Sequence, residues 1–277
     1  MQADKRPEKE LHLQLRAAIA PLKGAVVAYS GGVDSSLVAY VAAEVLGERA
    51  LAVTSGSASL KRSDLALARR LADEWGMRHR VIVTDELTKD DYRANPVDRC
   101  FHCKTSLYEA LEEIAQAEGI AHILNGTNRD DLGDYRPGLV AADDRGVRSP
   151  LVEADFDKAD VRRLARHLGL DNAQKPQSAC LSSRFPYGSH ITRARLAQVE
   201  AAEAVLADLG FENYRVRHHE DVARLEIGEA ELSRAMDLRE TLNERIKSCG
   251  YRFIALDLAG FRSGSLNEGL IEIVNVG

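Results

Sequence analysis

Ala25-Val-Val-Ala-Tyr29 runs directly into Ser30-Gly-Gly-Val-Asp-Ser-Ser36, and Leu37, Val38, Val41 and Val45 follow at helical spacing before Gly47. The first five residues are apolar and partly β-branched, the pattern of a short buried strand. The last set predicts a helix over 34–46, stopped by its glycine. Between them lies a turn of two glycines flanked by hydroxyls. Glycine lets backbone amides come close to an anion, and a helix N-terminus adds favourable partial charge. Ser30, Gly31, Gly32, Ser35 and Ser36 therefore read as a phosphate cradle, the three serines adding hydroxyl donors. Asp34 beside phosphates makes sense only with a cation, most simply Mg²⁺. No Gly-Lys-Ser/Thr closes the turn, so it is not a P-loop NTPase signature. The competing reading is an ordinary capped βα turn.

Working outward, 50–54, 80–84 and 122–125 read as further strands. Helical patterns lie over 63–75 and 105–118, closed by Gly76 and Gly119. Strands alternating with helices of this length predict βαβ units and a parallel sheet. A capped helix starts at Asp157. A linker rich in Pro, Ser and Gly then covers 172–190. Beyond it come a helix over 193–209, strands over 213–218 and 222–227, a helix over 229–249 and a strand over 251–257. The expected organisation is an α/β domain over 1–171, then the linker and a smaller α+β domain over 172–277.

The chain has 277 residues, 45% of them hydrophobic, with 37 Lys+Arg against 43 Asp+Glu and a net charge of −6. That excludes a disordered tail and a disulfide-stapled mini-domain. An acidic chain lacks the general basic field of a nucleic-acid binder, so no nucleic-acid partner is expected. No uncharged apolar run approaches the ~18 residues of a membrane span, and the charged N-terminus lacks the apolar segment of a secretory signal. A cytoplasmic protein is expected, with its four cysteines as thiols, ligands or reactants.

Ser30-Gly-Gly-Val-Asp-Ser35 resembles the pyrophosphate loop of the ATP pyrophosphatases, which include asparagine, GMP and NAD synthetases and tRNA-thiolating enzymes. The resemblance implies a parallel-sheet domain of the adenine nucleotide alpha hydrolase-like (HUP) type. It also implies cleavage of ATP to AMP and pyrophosphate with adenylation of a substrate oxygen. The 24 residues up to Gly24 are too few for a glutaminase domain. Four strings further on, Asp134-Tyr-Arg-Pro-Gly-Leu139, Ser182-Ser-Arg-Phe-Pro-Tyr-Gly188, Tyr214-Arg-Val-Arg217 and Leu256-Asp-Leu-Ala-Gly-Phe-Arg-Ser-Gly264, together resemble the LarE family over nearly the whole chain. These are ATP-dependent sulfur transferases that help build the nickel-pincer nucleotide of lactate racemase. The implied reaction adenylates a carboxylate of pyridinium-3,5-dicarboxylate mononucleotide and replaces AMP by sulfur, giving a thiocarboxylate. A homo-oligomer is also implied. Two other readings stay open: an amidotransferase using free ammonia, and a non-catalytic nucleotide-binding protein.

In the best-known family reaction one enzyme cysteine gives up its sulfur and becomes dehydroalanine. Aligned on the Ser-Ser-Arg-Phe-Pro-Tyr-Gly string, that cysteine falls at Ala179, with Cys180 its neighbour. Cys100-Phe-His-Cys103 adds a pair that not every member carries. It has no second pair for structural zinc and no thioredoxin-like surroundings. Members with three such cysteines imply instead a [4Fe–4S] cluster, here on Cys100, Cys103 and Cys180, with one iron open to carry sulfide; the alternative is that Cys180 itself is the sacrificed sulfur donor. Cys249 reads as core. Asn128 and Asp130, after a strand end, are candidate ATP-site residues. The family strings offer Arg136, Arg184, Arg215, Arg217 and Arg262 for phosphate and carboxylate, since a guanidinium binds both bidentately. Lys104 is a candidate phosphate or adenylate contact. Ser183 is expected near the reacting sulfur and Glu203 near the active site. His218 and His219 face opposite sides of their strand and suggest no metal site.

Overall fold

A computed structural model describes residues 6–84, 86–133, 137–176 and 178–262. In chain order the first elements are α1 (Glu8–Ile19), β1 (Ala25–Ala28), α2 (Val33–Leu46), β2 (Ala50–Ser55), α3 (Arg62–Glu74), β3 (His79–Ile82), α4 (Asp90–Arg93) and α5 (Arg99–Glu118). Then come β4 (Ile123–Leu124), α6 (Pro137–Asp143), α7 (Pro150–Glu153), α8 (Lys158–His167), α9 (Arg193–Asp208), β5 (Tyr214–His219), β6 (Val222–Ile227), α10 (Leu232–Asp237), α11 (Arg239–Lys247) and β7 (Phe253–Leu256). The chain forms two compact units. The division falls between Ser178 and Ala179, and the segment Leu87–Val97 belongs with the second unit.

The first unit is built on a parallel sheet of order β3-β2-β1-β4. Alternate residues of β1 point to opposite faces, and both faces are covered. Val27 packs with Leu37, Val38 and Val41 of α2, with Leu11, Leu15 and Ile19 of α1, and with Val161 and Leu164 of α8. Val26 packs on the other side with Tyr108 and Leu111 of α5. The chain builds from β1 outward through β2 to β3, then returns to place β4 on the far side of β1. That reversal is a topological switch point, where open α/β sheets bind ligands at the strand C-termini. The Ser30–Ser36 loop leaves β1 there, and the Asn125–Asp131 loop leaves β4. Beside them, Thr54 donates to the Tyr29 carbonyl at 2.7 Å and its hydroxyl lies 2.8 Å from His79 Nε2. With that hydroxyl proton committed, His79 donates from Nε2. Burial lowers the His79 pKa and raises that of Tyr29 to about 12.

The second unit has a three-stranded sheet, with β5 and β6 antiparallel and β6 and β7 parallel. One face carries Val216, Ala223, Leu225 and Ile227 against Ala202 and Leu206 of α9 and Leu242 and Ile246 of α11. The alternation that buries those residues puts Arg215, Arg217, Arg224 and Glu226 on the opposite face. Arg215 stands opposite Glu226, and Arg217 opposite Arg224.

Three elements differ from the pattern expected of the sequence. Helix α1 was not anticipated, although Leu11, Leu15 and Ile19 are all buried at four-residue spacing. Helix α5 begins at Arg99 rather than 105, so Cys100 and Cys103 sit in its first turns. The expected helix over 229–249 is broken at Leu238, whose backbone (φ −91°, ψ 11°) leaves helical geometry. The break lets Ala235 on one side and Leu242 and Ile246 on the other reach the same core.

Candidate active site

In the first unit the glycine turn is held open by its own hydroxyls. Ser30 N donates to Ser35 Oγ at 3.2 Å, the two serine hydroxyls lie 3.1 Å apart, and Ser35 Oγ donates to the Gly32 carbonyl at 3.1 Å. Gly31 has φ +74°, and a Cβ there would lie 3.1 Å from Ala68 Cβ. Gly126, from the β4 loop, approaches so closely that a Cβ would lie 2.6 Å from Ser35 N. The loop is thus pressed onto the N-terminus of α2, where unpaired amides favour anions.

Asp34 sits in the first turn of α2. One carboxylate oxygen accepts from Asn128 Nδ2 at 3.1 Å, and the other is ion-paired with the Lys158 ammonium. Lys158 opens α8, and its backbone N–H donates to Asp130 at 2.9 Å. Asn128, only 2% exposed, also accepts from Asp130 N. A carboxylate at a phosphate-type loop is the hard oxygen donor that Mg²⁺ takes, and here a lysine ammonium occupies one of its oxygens. Behind the loop, Asn172 Nδ2 donates to Gly31 O at 3.0 Å and Ser36 Oγ at 2.8 Å. Further along, Asp64 of α3 accepts from Lys175 Nζ at 2.8 Å and Ser178 Oγ at 2.6 Å. Burial pushes the Asp64 carboxyl up, but these two hydrogen bonds together with the charges of Lys175 and Lys61 hold it below its ordinary value. Lys158, Asn172 and Asp64 were not singled out in the sequence. Each lies in a helix or linker with no motif of its own.

In the second unit Arg184 and Glu203 are a buried bidentate pair: Nε to Oε1 at 2.8 Å and Nη2 to Oε2 at 3.2 Å. Arg184 Nη1 also donates to the carbonyls of Ala179 and Cys180 and to Ser183 Oγ. Ser183 Oγ in turn donates to Cys180 O at 2.7 Å. Glu203 also accepts from Val216 N at 3.2 Å. Arg217 pairs with buried Glu226 at 2.9 and 3.0 Å and donates to Ser183 O at 2.6 Å. Cys180 is exposed, and its backbone is pinned from beneath by this network. Arg215 differs from its neighbours. It donates to Arg262 O at 3.3 Å and stacks over the Phe261 ring at 4.5 Å. Among the described residues no carboxylate pairs with it. Burial first, then the charges of Arg184 and Arg217, lower its pKa, so its charge is the surplus one.

Cys100 and Cys103, three residues apart on α5, share one helix face. Cys100 is exposed and Cys103 half-buried. Lys104 lies beside them with its ammonium 5.9 Å from the Tyr108 ring centroid. Both cysteines belong to the first unit and Cys180 to the second. Among the described residues, no three or more His, Cys, Asp or Glu side chains form a group able to hold a metal ion. Cys249 packs on the second core and donates to Arg245 O at 3.4 Å, with burial raising its pKa. His218 is buried against Tyr251 and Phe185. Arg136 and Asp134 lie outside the described residues. No described helix is long and apolar enough to cross a membrane.

The NAD synthase family matches residues 8–95. The pyridinium-3,5-bisthiocarboxylic acid mononucleotide synthase of Lactiplantibacillus plantarum is 42% identical over 259 residues, covering 93% of this chain and 94% of that protein. An uncharacterised protein of Synechocystis sp. is 42% identical over 261 residues, covering 93% and 97%. A tRNA-specific 2-thiouridylase of Rickettsia felis is 28% identical over 242 residues, covering 74% of this chain and 65% of its own.

Proposed function

Because the chain belongs to the LarE family of ATP-dependent sulfur transferases, we propose that it converts the carboxylates of pyridinium-3,5-dicarboxylate mononucleotide to thiocarboxylates, with Cys180 as the reacting thiol. The observation that carries this reading is the exposed Cys180 thiol on a backbone clamped by Arg184 and Ser183. A positioned nucleophile converts a bimolecular encounter into a local one.

The chemistry follows from the groups present. A substrate carboxylate oxygen attacks the α-phosphorus of ATP, and the bond to the β-phosphate oxygen breaks. The loop amides and the Ser30, Ser35 and Ser36 hydroxyls take the charge that develops on pyrophosphate. Asp34, Asn128 and Asp130 hold the polar side of the site. Asp34 would hold Mg²⁺, which would supply charge neutralisation on the phosphates. The Cys180 thiolate attacks the acyl carbon and AMP leaves, giving a thioester. A base removes the Cα proton of residue 180, the Cβ–S bond breaks, and the sulfur stays on the substrate while dehydroalanine remains. No oxidant or reductant is needed. Arg215, with its surplus charge, and Arg262 receive the nucleotide phosphate, while Arg184, Arg217 and Glu203 keep the Cys180 segment in place. Lys104 and Arg136 serve as further anion contacts.

The placement of Cys100 and Cys103 on one helix face favours a second sulfur source, a [4Fe–4S] cluster on Cys100, Cys103 and Cys180. Those three thiolates would hold the cluster, which would supply a binding site for sulfide. Both readings go with a reducing cytoplasm and a homo-oligomer.

The test is Cys180→Ser with ATP, Mg²⁺ and the dicarboxylate nucleotide. Thiocarboxylate formation should vanish while substrate-dependent pyrophosphate release survives. Intact-mass analysis of the wild-type protein after turnover should show the loss of one H₂S mass. Full-length mass after turnover, with about four irons per chain in anaerobically purified protein, would select the cluster instead. Product formation by Cys180→Ser would overturn both.

A further inference from the structure

Lys158 has no role in the chemistry above, yet its ammonium occupies the one carboxylate of the phosphate loop. The contact is not local. Lys158 lies 124 residues from Asp34 and is brought there by α8, whose side-chain cap Asp157 fixes its first turn by accepting from Asp160 N. Neither partner is fully buried, with side-chain exposures of 32% and 23%, so the pair can open. Asn128 Nδ2 holds the other Asp34 oxygen, which keeps the carboxylate aimed while its cation changes.

A bare carboxylate at this position would repel an incoming triphosphate. Like charges a few ångströms apart repel each other even near a solvated surface. A monovalent ammonium and a divalent metal cannot share the same oxygen without repelling each other. We propose that Lys158 is a stand-in cation. In the nucleotide-free protein it neutralises Asp34. When ATP–Mg²⁺ enters, it yields the carboxylate to the metal, and its flexible four-carbon stem carries the ammonium to the leaving pyrophosphate. Lys158 is then a catalytic group for the first half-reaction and a brake on metal binding without nucleotide. This rests on the reading of the loop as an ATP–Mg²⁺ site.

The test compares wild type, Lys158→Met and Lys158→Arg as full chains, with Mn²⁺ as the metal probe. Mn²⁺ binding to nucleotide-free protein is followed by electron paramagnetic resonance, and pyrophosphate release is measured separately. Removing the competing charge should tighten Mn²⁺ binding in Lys158→Met by about threefold or more, the scale of a partly exposed ion pair. Pyrophosphate release should fall about a hundredfold, the scale of one lost transition-state donor. Lys158→Arg should restore weak Mn²⁺ binding and part of the rate. Unchanged or weaker Mn²⁺ binding in Lys158→Met, or pyrophosphate release at the wild-type rate, would overturn the proposal. Wild-type protein that binds neither ATP nor Mn²⁺–ATP would instead overturn the ATP-site reading beneath it.

Discussion

Arg184, Arg217 and Arg215 are chemically identical side chains with three different electrostatic situations. The first two lie beneath the surface with side-chain exposures of 3%, each matched to a carboxylate. Breaking a buried pair strands a charge and costs about 3–5 kcal/mol, whereas replacing both partners by apolar groups is often nearly neutral. Arg184→Ala and Glu203→Ala should each lower the unfolding free energy measured in urea by that amount. The double variant Arg184→Met/Glu203→Leu should recover most of it, and equal losses in all three would contradict the buried-pair account. Arg215 is half-buried beside like charges. Its loss relieves repulsion, so Arg215→Gln should keep or slightly raise the melting temperature. The same change should raise the KM for the mononucleotide roughly tenfold to a hundredfold, the range of a charge-assisted hydrogen bond. The sequence grouped these arginines as one binding set. It could not show which of them meet carboxylates of the chain itself, because Glu203 and Glu226 come from α9 and β6.

At the level of elements, the loop after β1 depends on one close backbone approach. Gly126 meets the α2 N-terminus where a methyl group would collide with Ser35 N and the Asp34 carbonyl carbon. Gly126→Ala must push the β4 loop away, with an overpacking penalty of about 1–3 kcal/mol. ATP-dependent pyrophosphate release should drop between about fivefold and 150-fold if that penalty falls on the reacting geometry, while circular dichroism stays native. Helix α1 makes the opposite point about legibility. Its buried residues Leu11, Leu15 and Ile19 follow helical spacing and were readable, but they lie in a charged stretch that looked only like a missing signal segment. Leu15→Ala should cost about 2–5 kcal/mol, measured by thermal or urea unfolding. The break at Leu238 was not readable, because helical propensity runs through it and only the shared core of α10 and α11 decides it.

Across the whole molecule, acid stability divides into two pH windows. His79 and His218 are both pushed below the ordinary 6.5, by burial first. The unfolded chain takes up these protons near 6.5 while the folded protein still refuses them. Stability is therefore full above 6.5 and falls as the pH drops through that value toward the lowered native ones. Asp64, held below its ordinary 3.8, adds a second loss, beginning near 3.8 as its unfolded carboxyl protonates first. Urea midpoints measured from pH 8 down to 5 should decline, and His79→Gln should flatten that decline. A wild-type midpoint that rises on acidification would reject the assignment. Taken alone, the sequence determined the βαβ order, the phosphate turn, the α+β second half and the family, because these are written in residues close together along the chain. Only the tertiary structure decided which charges meet. It brought Lys158 to Asp34, matched Arg184 with Glu203 and Arg217 with Glu226, and among the described residues left Arg215 without a carboxylate. Ion pairs between distant segments carry no local pattern; they exist only once packing of the apolar faces has fixed where each helix and strand end lies.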